Sequence, residues 1–154
     1  MTHDVSVQAD SARLLRLRVL RERSAQAALA QCRREREAAL ATHEARRQHI
    51  AELRARRHEL LGWLSGAGAA ALPRVAPYGR ARIEALEESI EREVLDLEDD
   101  AAALRRADAA LAEAEAAWLA AQARHEALRE HGDALRRAAM RDAERRSERE
   151  LEGG

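Results

Sequence analysis

The sequence predicts an all-α protein built as a long antiparallel two-helix coiled-coil hairpin. Three observations point there. Ala, Arg, Glu and Leu run for more than fifty residues on either side of a single break, SGAGAAALPRVAPYG (Ser65 to Gly79), which holds both prolines and three of the seven glycines. Beyond the break, large apolar residues recur at coiled-coil spacing. The charges of the two halves are opposite where a chain reversal would bring them together.

Composition sets the kind of core that is possible. The chain has no Phe, one Tyr and two Trp, and much of its 46% hydrophobic content is Ala. Burial stabilises by roughly 25 cal/mol per Å² of apolar surface, so small side chains without large aromatics can build a thin seam and not a thick core. The 36% charged residues, with Ala and Leu, match long helices. These residue types are strong helix formers, which argues against disorder.

The elements follow in order. Residues 1–10 form a flexible N-terminus. The first helix is expected over 11–64, with Asp10 or Ser11 capping its free amides. Nothing before Gly62 interrupts it, and at about 1.5 Å per residue it would be roughly 80 Å long. Ile50, Leu53, Arg57, Leu60 and Leu64 fit a heptad, whereas Leu29, Leu40 and Ala51 drift at 11-residue spacing. Residues 65–77 form the hairpin loop, longer than the two to eight residues usual between packed helices. The second helix is expected over 78–150, since Pro77 suits a first turn, and residues 151–154 form a flexible C-terminus. Its seam reads Ile83, Leu86, Ile90, Val94, Leu97, Ala101, Leu104, Asp108, Leu111, Glu115 and Trp118, with one extra four-residue step between Ile90 and Val94.

Charge fixes the direction of pairing. The net charge is −1, yet residues 12–64 hold 13 Arg and 6 acids while residues 80–100 hold 3 Arg and 9 acids. In a hairpin, positions whose numbers sum to about 143 face each other. That register sets Arg54, Arg56 and Arg57 beside Glu84, Glu87, Glu88 and Glu91, and Arg46 and Arg47 beside Asp96 to Asp100. A parallel homodimer would instead align blocks of like charge.

Motifs for chemistry are incomplete. Three His-Glu pairs begin the zinc-binding HExxH pattern, but Arg47, Gly62 and Arg129 stand where the second histidine is needed. Cys32 is followed by two arginines, but a two-helix rod lacks the base and oxyanion site a nucleophile requires, so a small seam residue is the better reading. The single cysteine excludes an internal disulfide and fits a reducing compartment. No cofactor, no metal and no enzyme activity are expected. The first residues lack a basic start and an apolar run, and no stretch approaches the roughly 20 apolar residues that span a bilayer. A cytoplasmic location is expected, without membrane insertion.

The amino-terminal ARLLRLRVLRERSAQAALAQCRRER and the carboxy-terminal LRRAAMRDAERRSERE, joined by a hairpin in a chain of this length, resemble the central stalk proteins of type III secretion systems. These are the FliJ family of flagellar export and the YscO (SctO) family of the injectisome. The resemblance implies a non-enzymatic stalk at the cytosolic face of a bacterial secretion apparatus. Such a stalk inserts into the hexameric secretion ATPase and reaches toward the export gate, and some members also bind secretion chaperones. Carried onto this sequence, it implies an ATPase-binding end made of Leu14, Leu17, Arg21 and Glu22 with Arg136, Arg137, Arg141 and Asp142. It also implies a gate-facing tip around Trp63, Leu64, Leu72, Val75 and Tyr78.

Two other classes compete. A coiled-coil adaptor would have the same composition and no secretion partner. A nucleic-acid-binding hairpin would use the Arg excess of the first helix to grip phosphates, but the acids opposite and the lack of aromatic stacking platforms oppose it.

Overall fold

The computed structural model describes residues 2–154, with side chains described for residues 6–71 and 73–154. It is an antiparallel helical hairpin: α1 (Thr2–Ser65), a short 3-10 turn (Ala69–Ala71) and α2 (Leu72–Glu152). Both helices are longer than the sequence spacing predicts. α1 begins at Thr2 and not at Ser11, because nothing between them breaks a helix. α2 begins at Leu72 and not at residue 78. Pro73 occupies its first turn, where the missing amide hydrogen has no intrahelical partner anyway, while Pro77 lies inside the helix.

The chain divides into two compact units, one pairing Met1–Gln31 with Ala112–Gly154, the other comprising Cys32–Leu111. In the second unit, which contains the turn, a repeat of covered positions runs along α1 through Cys32, Arg36, Ala39, His43, Arg46, Ile50, Leu53, Arg57, Leu60 and Leu64, with Leu40 half-buried beside it. On α2 the repeat runs through Gly79, Ile83, Leu86, Ile90, Glu93, Leu97, Asp100, Leu104, Ala107 and Leu111, flanked by other half-buried residues such as Val94 and Ala101. Steps of three and four alternate throughout both sets, the 3.5-residue repeat of a coiled coil. Every residue of the first set pairs with one of the second whose number completes 143. Leu53 thus stands level with Ile90, and Leu64 packs on Gly79.

This seam corrects two expectations. Asp108 and Glu115 are exposed, and Ala107 and Ala114 hold the seam positions instead. No extra step is needed after Ile90, because Glu93 continues the repeat alongside half-buried Val94. On α1 the repeat is regular and not drifting. It is simply occupied by polar residues.

Those polar residues are accommodated by reaching sideways. From its seam position, Arg46 extends to three acids of α2: its Nη1 donates to Glu93 Oε2 at 2.6 Å and to Asp96 Oδ2 at 3.4 Å, and its Nε to Asp100 Oδ2 at 2.5 Å. The hydrogen bonds to Asp100, then Glu93, hold the guanidinium even more firmly protonated than usual. Arg57 donates through Nε to Glu87 at 2.9 Å, and Arg36 through Nε to Asp108 at 2.8 Å. Each aliphatic stem covers apolar neighbours while its head reaches water or a carboxylate. Arg54 and Arg56 are exposed, and Arg47 pairs with Glu44 on its own helix. His43 Nδ1 is buried without a hydrogen-bond partner.

The first unit is more thinly packed. Among the described residues, the buried hydrophobic side chains are Leu29, Ile50, Leu53 and Leu86, and only Leu29 belongs to this unit. Covered positions here, Ser11, Leu15, Arg18, Glu22, Ala25 and Leu29 on α1 and Ala114, Trp118, Ala121, His125, Leu128 and Gly132 on α2, keep the same repeat, with Val19, Ala30, Gln122, Asp133 and Ala138 half-buried beside it. Small or charged side chains fill seven of the twelve repeat positions.

Candidate functional site

Two surfaces carry the residues singled out by sequence. The first is at the turn. After α1, Gly66 N donates to Gly62 O at 3.0 Å and Gly68 N to Trp63 O at 2.8 Å, and the 3-10 turn closes with Ala71 N to Gly68 O at 3.0 Å. No glycine here has a positive φ, so backbone freedom is not what glycine supplies. Close approach is. A Cβ on Gly68 would lie 2.6 Å from the Trp63 ring, and one on Gly79 would lie 3.1 Å from Leu64.

The turn therefore seats Trp63 over Gly68 and Leu64 over Gly79, leaving part of the indole in solvent. Trp63 is 45% exposed and Tyr78 79% exposed, whereas Leu64 and Val75 are half-buried. The side chain of Leu72 lies outside the described residues. Leu61, which the sequence did not single out, is also exposed. The non-helical part is only residues 66–71, so the fifteen-residue break contains a short turn and the first turns of α2.

The second surface is in the unit formed by the two chain ends. Leu14 and Leu17 are exposed, as is Arg21, and with Val7 they make a stripe at steps of seven, three and four beside the seam. Glu22 is not part of that exposed set. It sits in the seam and hydrogen-bonds His125 Nδ1. On α2, Arg136 is bound to Asp133, and this guanidinium holds the Asp133 carboxyl below its ordinary range. The resulting stabilisation is present above the usual carboxylate range and is lost as pH falls through the lowered pKa. Arg137, Arg141 and Asp142 are exposed.

The two halves of the predicted binding end are not brought level. The register of 143 places Leu14 and Leu17 across from residues 126–129, while Arg136 lies near Val7 and Ser11, with which it lines a groove. That groove, of about 340 Å³, is walled by Val7, Ala12, Leu15, Leu128, Leu135 and Ala139. It exists because Ser11 and Gly132 share one level of the seam and neither side chain fills it. A Cβ on Gly132 would meet nothing within 4 Å. Beyond it, residues 141–154 are exposed throughout.

Of the incomplete metal motifs, His43 is in the seam, His58 is exposed and His125 is engaged by Glu22. Cys32 is a half-buried seam residue. Among the described residues, no helix is long and apolar enough to cross a membrane.

Comparison of the chain with family models, with curated proteins and with solved structures finds no match. The functional reading therefore rests on the surfaces themselves.

Proposed function

We propose that the protein is a non-enzymatic central stalk of a type III secretion apparatus, acting at the cytosolic face. Its paired chain ends enter the hexameric secretion ATPase, and its turn faces the export gate. The observation that carries this reading is the terminal surface: exposed Leu14 and Leu17 beside Arg21, with a helical segment of α2, residues 141–152, that stays fully exposed. An apolar stripe set among charges suits contacts that form and release inside a ring. Trp63 and Tyr78 at the turn supply the second contact, the aromatic type favoured in interface anchors. Secretion chaperones are further candidate partners for the exposed helical faces.

Nucleic acid is a weaker reading, because Arg36, Arg46 and Arg57 already have carboxylate partners. A coiled-coil adaptor shares the fold and differs only in its partner.

The test is the ATPase activity and oligomeric state of a type III secretion ATPase from the same source, at low ionic strength, with and without the protein. Stimulation accompanied by hexamer formation is expected, and removal of residues 136–150 should abolish both. An ATPase indifferent to the full chain would leave an adaptor of another kind.

A further inference from the structure

Between residues 11 and 34, α1 holds a single carboxylate, Glu22, and that one is in the seam, bound to His125. Arg13, Arg16, Arg21 and Arg23 of the same stretch are exposed, and none forms a hydrogen bond or ion pair with another described residue. Glu126 and Glu130, at the same level of α2 in the register of 143, make no ion pair with them. The second unit differs, since Arg36, Arg46 and Arg57 all end on carboxylates. A block of positive charge is thus left without an internal partner.

Large apolar side chains lie among these charges. Leu14 is 50% exposed, Leu17 43% and Leu20 61%. At roughly 100° per residue these three leucines span an arc of about 120°, and Arg13 and Arg21 fall inside it, on either side of Leu17. Arg16 and Arg23 lie just past its Leu20 edge, while the seam residues Leu15, Arg18 and Glu22 lie outside it. An occupant must therefore take leucines and arginine heads on one face. We propose that this face of α1 adsorbs to an anionic phospholipid surface, with the helix parallel to the membrane plane. The leucines enter the boundary between headgroups and acyl chains, and the guanidiniums pair with lipid phosphates. Contact is shallow, because the opposite side of the helix stays paired with α2. Nucleic acid would use the arginines but leave the three leucines in water.

A bilayer contact stands independently of the secretion reading, since it needs no ATPase, and its failure would leave the ATPase assay untouched. If both hold, the bilayer and the ATPase compete for Leu14, Leu17 and Arg21.

Co-sedimentation of the full chain with vesicles containing phosphatidylglycerol tests it, with pure phosphatidylcholine vesicles as the reference. Binding to the anionic vesicles alone is expected, and salt at about 0.5 M should release most of the protein. Arg13→Gln, Arg16→Gln, Arg21→Gln and Arg23→Gln combined should weaken binding at least about tenfold. Leu14→Ser, Leu17→Ser and Leu20→Ser combined should do the same. Arg54→Gln with Arg56→Gln, at exposed arginines of the second unit, should leave binding unchanged, and all variants should keep the helical circular dichroism of the parent. In a Cys32→Ser background, an environment-sensitive dye attached at Leu17→Cys should shift to the blue on anionic vesicles, and the same dye at Leu95→Cys should not. Absence of binding to anionic vesicles would overturn the proposal. So would vesicle binding that survives the serine substitutions, or an oligonucleotide that binds more tightly than the vesicles and is indifferent to those substitutions, which would assign the arginines to nucleic acid.

Discussion

Leu86→Ala is expected to destabilise the hairpin by about 2–4 kcal/mol, the usual cost of deleting a buried leucine side chain. Leu86 is 5% exposed on the α2 seam, in the unit that holds three of the four buried hydrophobic side chains among the described residues. Level with it is Arg57, whose head is anchored on Glu87. Leu95→Ala is the control. Leu95 is on the same helix and 62% exposed, and its truncation should change stability by no more than about 0.5 kcal/mol. Urea unfolding followed by helical circular dichroism measures both. Equal effects from the two substitutions would mean that α2 does not bury the face assigned to it.

Gly68→Ala is expected to cost about 1–3 kcal/mol, the range for forcing an extra carbon into a packed site. The cause is the Trp63 ring, 2.6 Å from where that carbon would stand. Because Gly68 has no positive φ, the backbone itself tolerates alanine. In a Trp63→Ala background the same substitution should therefore reverse sign and stabilise by about 0.4–1 kcal/mol, through the reduced entropy of the unfolded chain. The double-mutant cycle isolates the contact. A cost that persists without the indole would place the strain in the turn's backbone and not in the seat of Trp63.

How far the fold was legible differs between the helices, for a physical reason. α2 places Ile83, Leu86, Ile90, Leu97, Leu104 and Leu111 on its seam, and such residues announce a repeat. Where alanine held the seam, at 107 and 114, a carboxylate one position later was read in its place, since alanine is too common in this chain to mark anything. α1 gave less because Arg18, Glu22, Arg36, His43, Arg46 and Arg57 stand on its seam. A polar seam is invisible to hydrophobic spacing. It becomes readable only through the partner helix: the charge-derived register of 143, applied to the α2 repeat, predicts the α1 seam positions.

The start of α2 was misplaced because either proline could begin a helix, and only the packing of Leu64 on Gly79 and Trp63 on Gly68 separates Pro73 from Pro77. The exposure of the candidate residues was not legible in the sequence. Leu14, Leu17, Trp63 and Tyr78 are exposed apolar residues, a property that no spacing in the sequence marks. The seam position of Glu22 was hidden because its partner, His125, is far away in sequence and each looks like an ordinary helical surface residue. The groove at Gly132 left one trace, a glycine in a helix with no turn to explain it.

The central claim is that the paired chain ends, and not the turn, enter the secretion ATPase. Site-specific cross-linking tests it most directly. In a Cys32→Ser background, a photoactivatable cross-linker is attached to a single cysteine at Arg141 in one protein and at Ala67 in another, each mixed with the ATPase hexamer and illuminated. The account predicts adducts to the ATPase from position 141 and not from position 67. Adducts from position 67 alone, or from neither position, would contradict it.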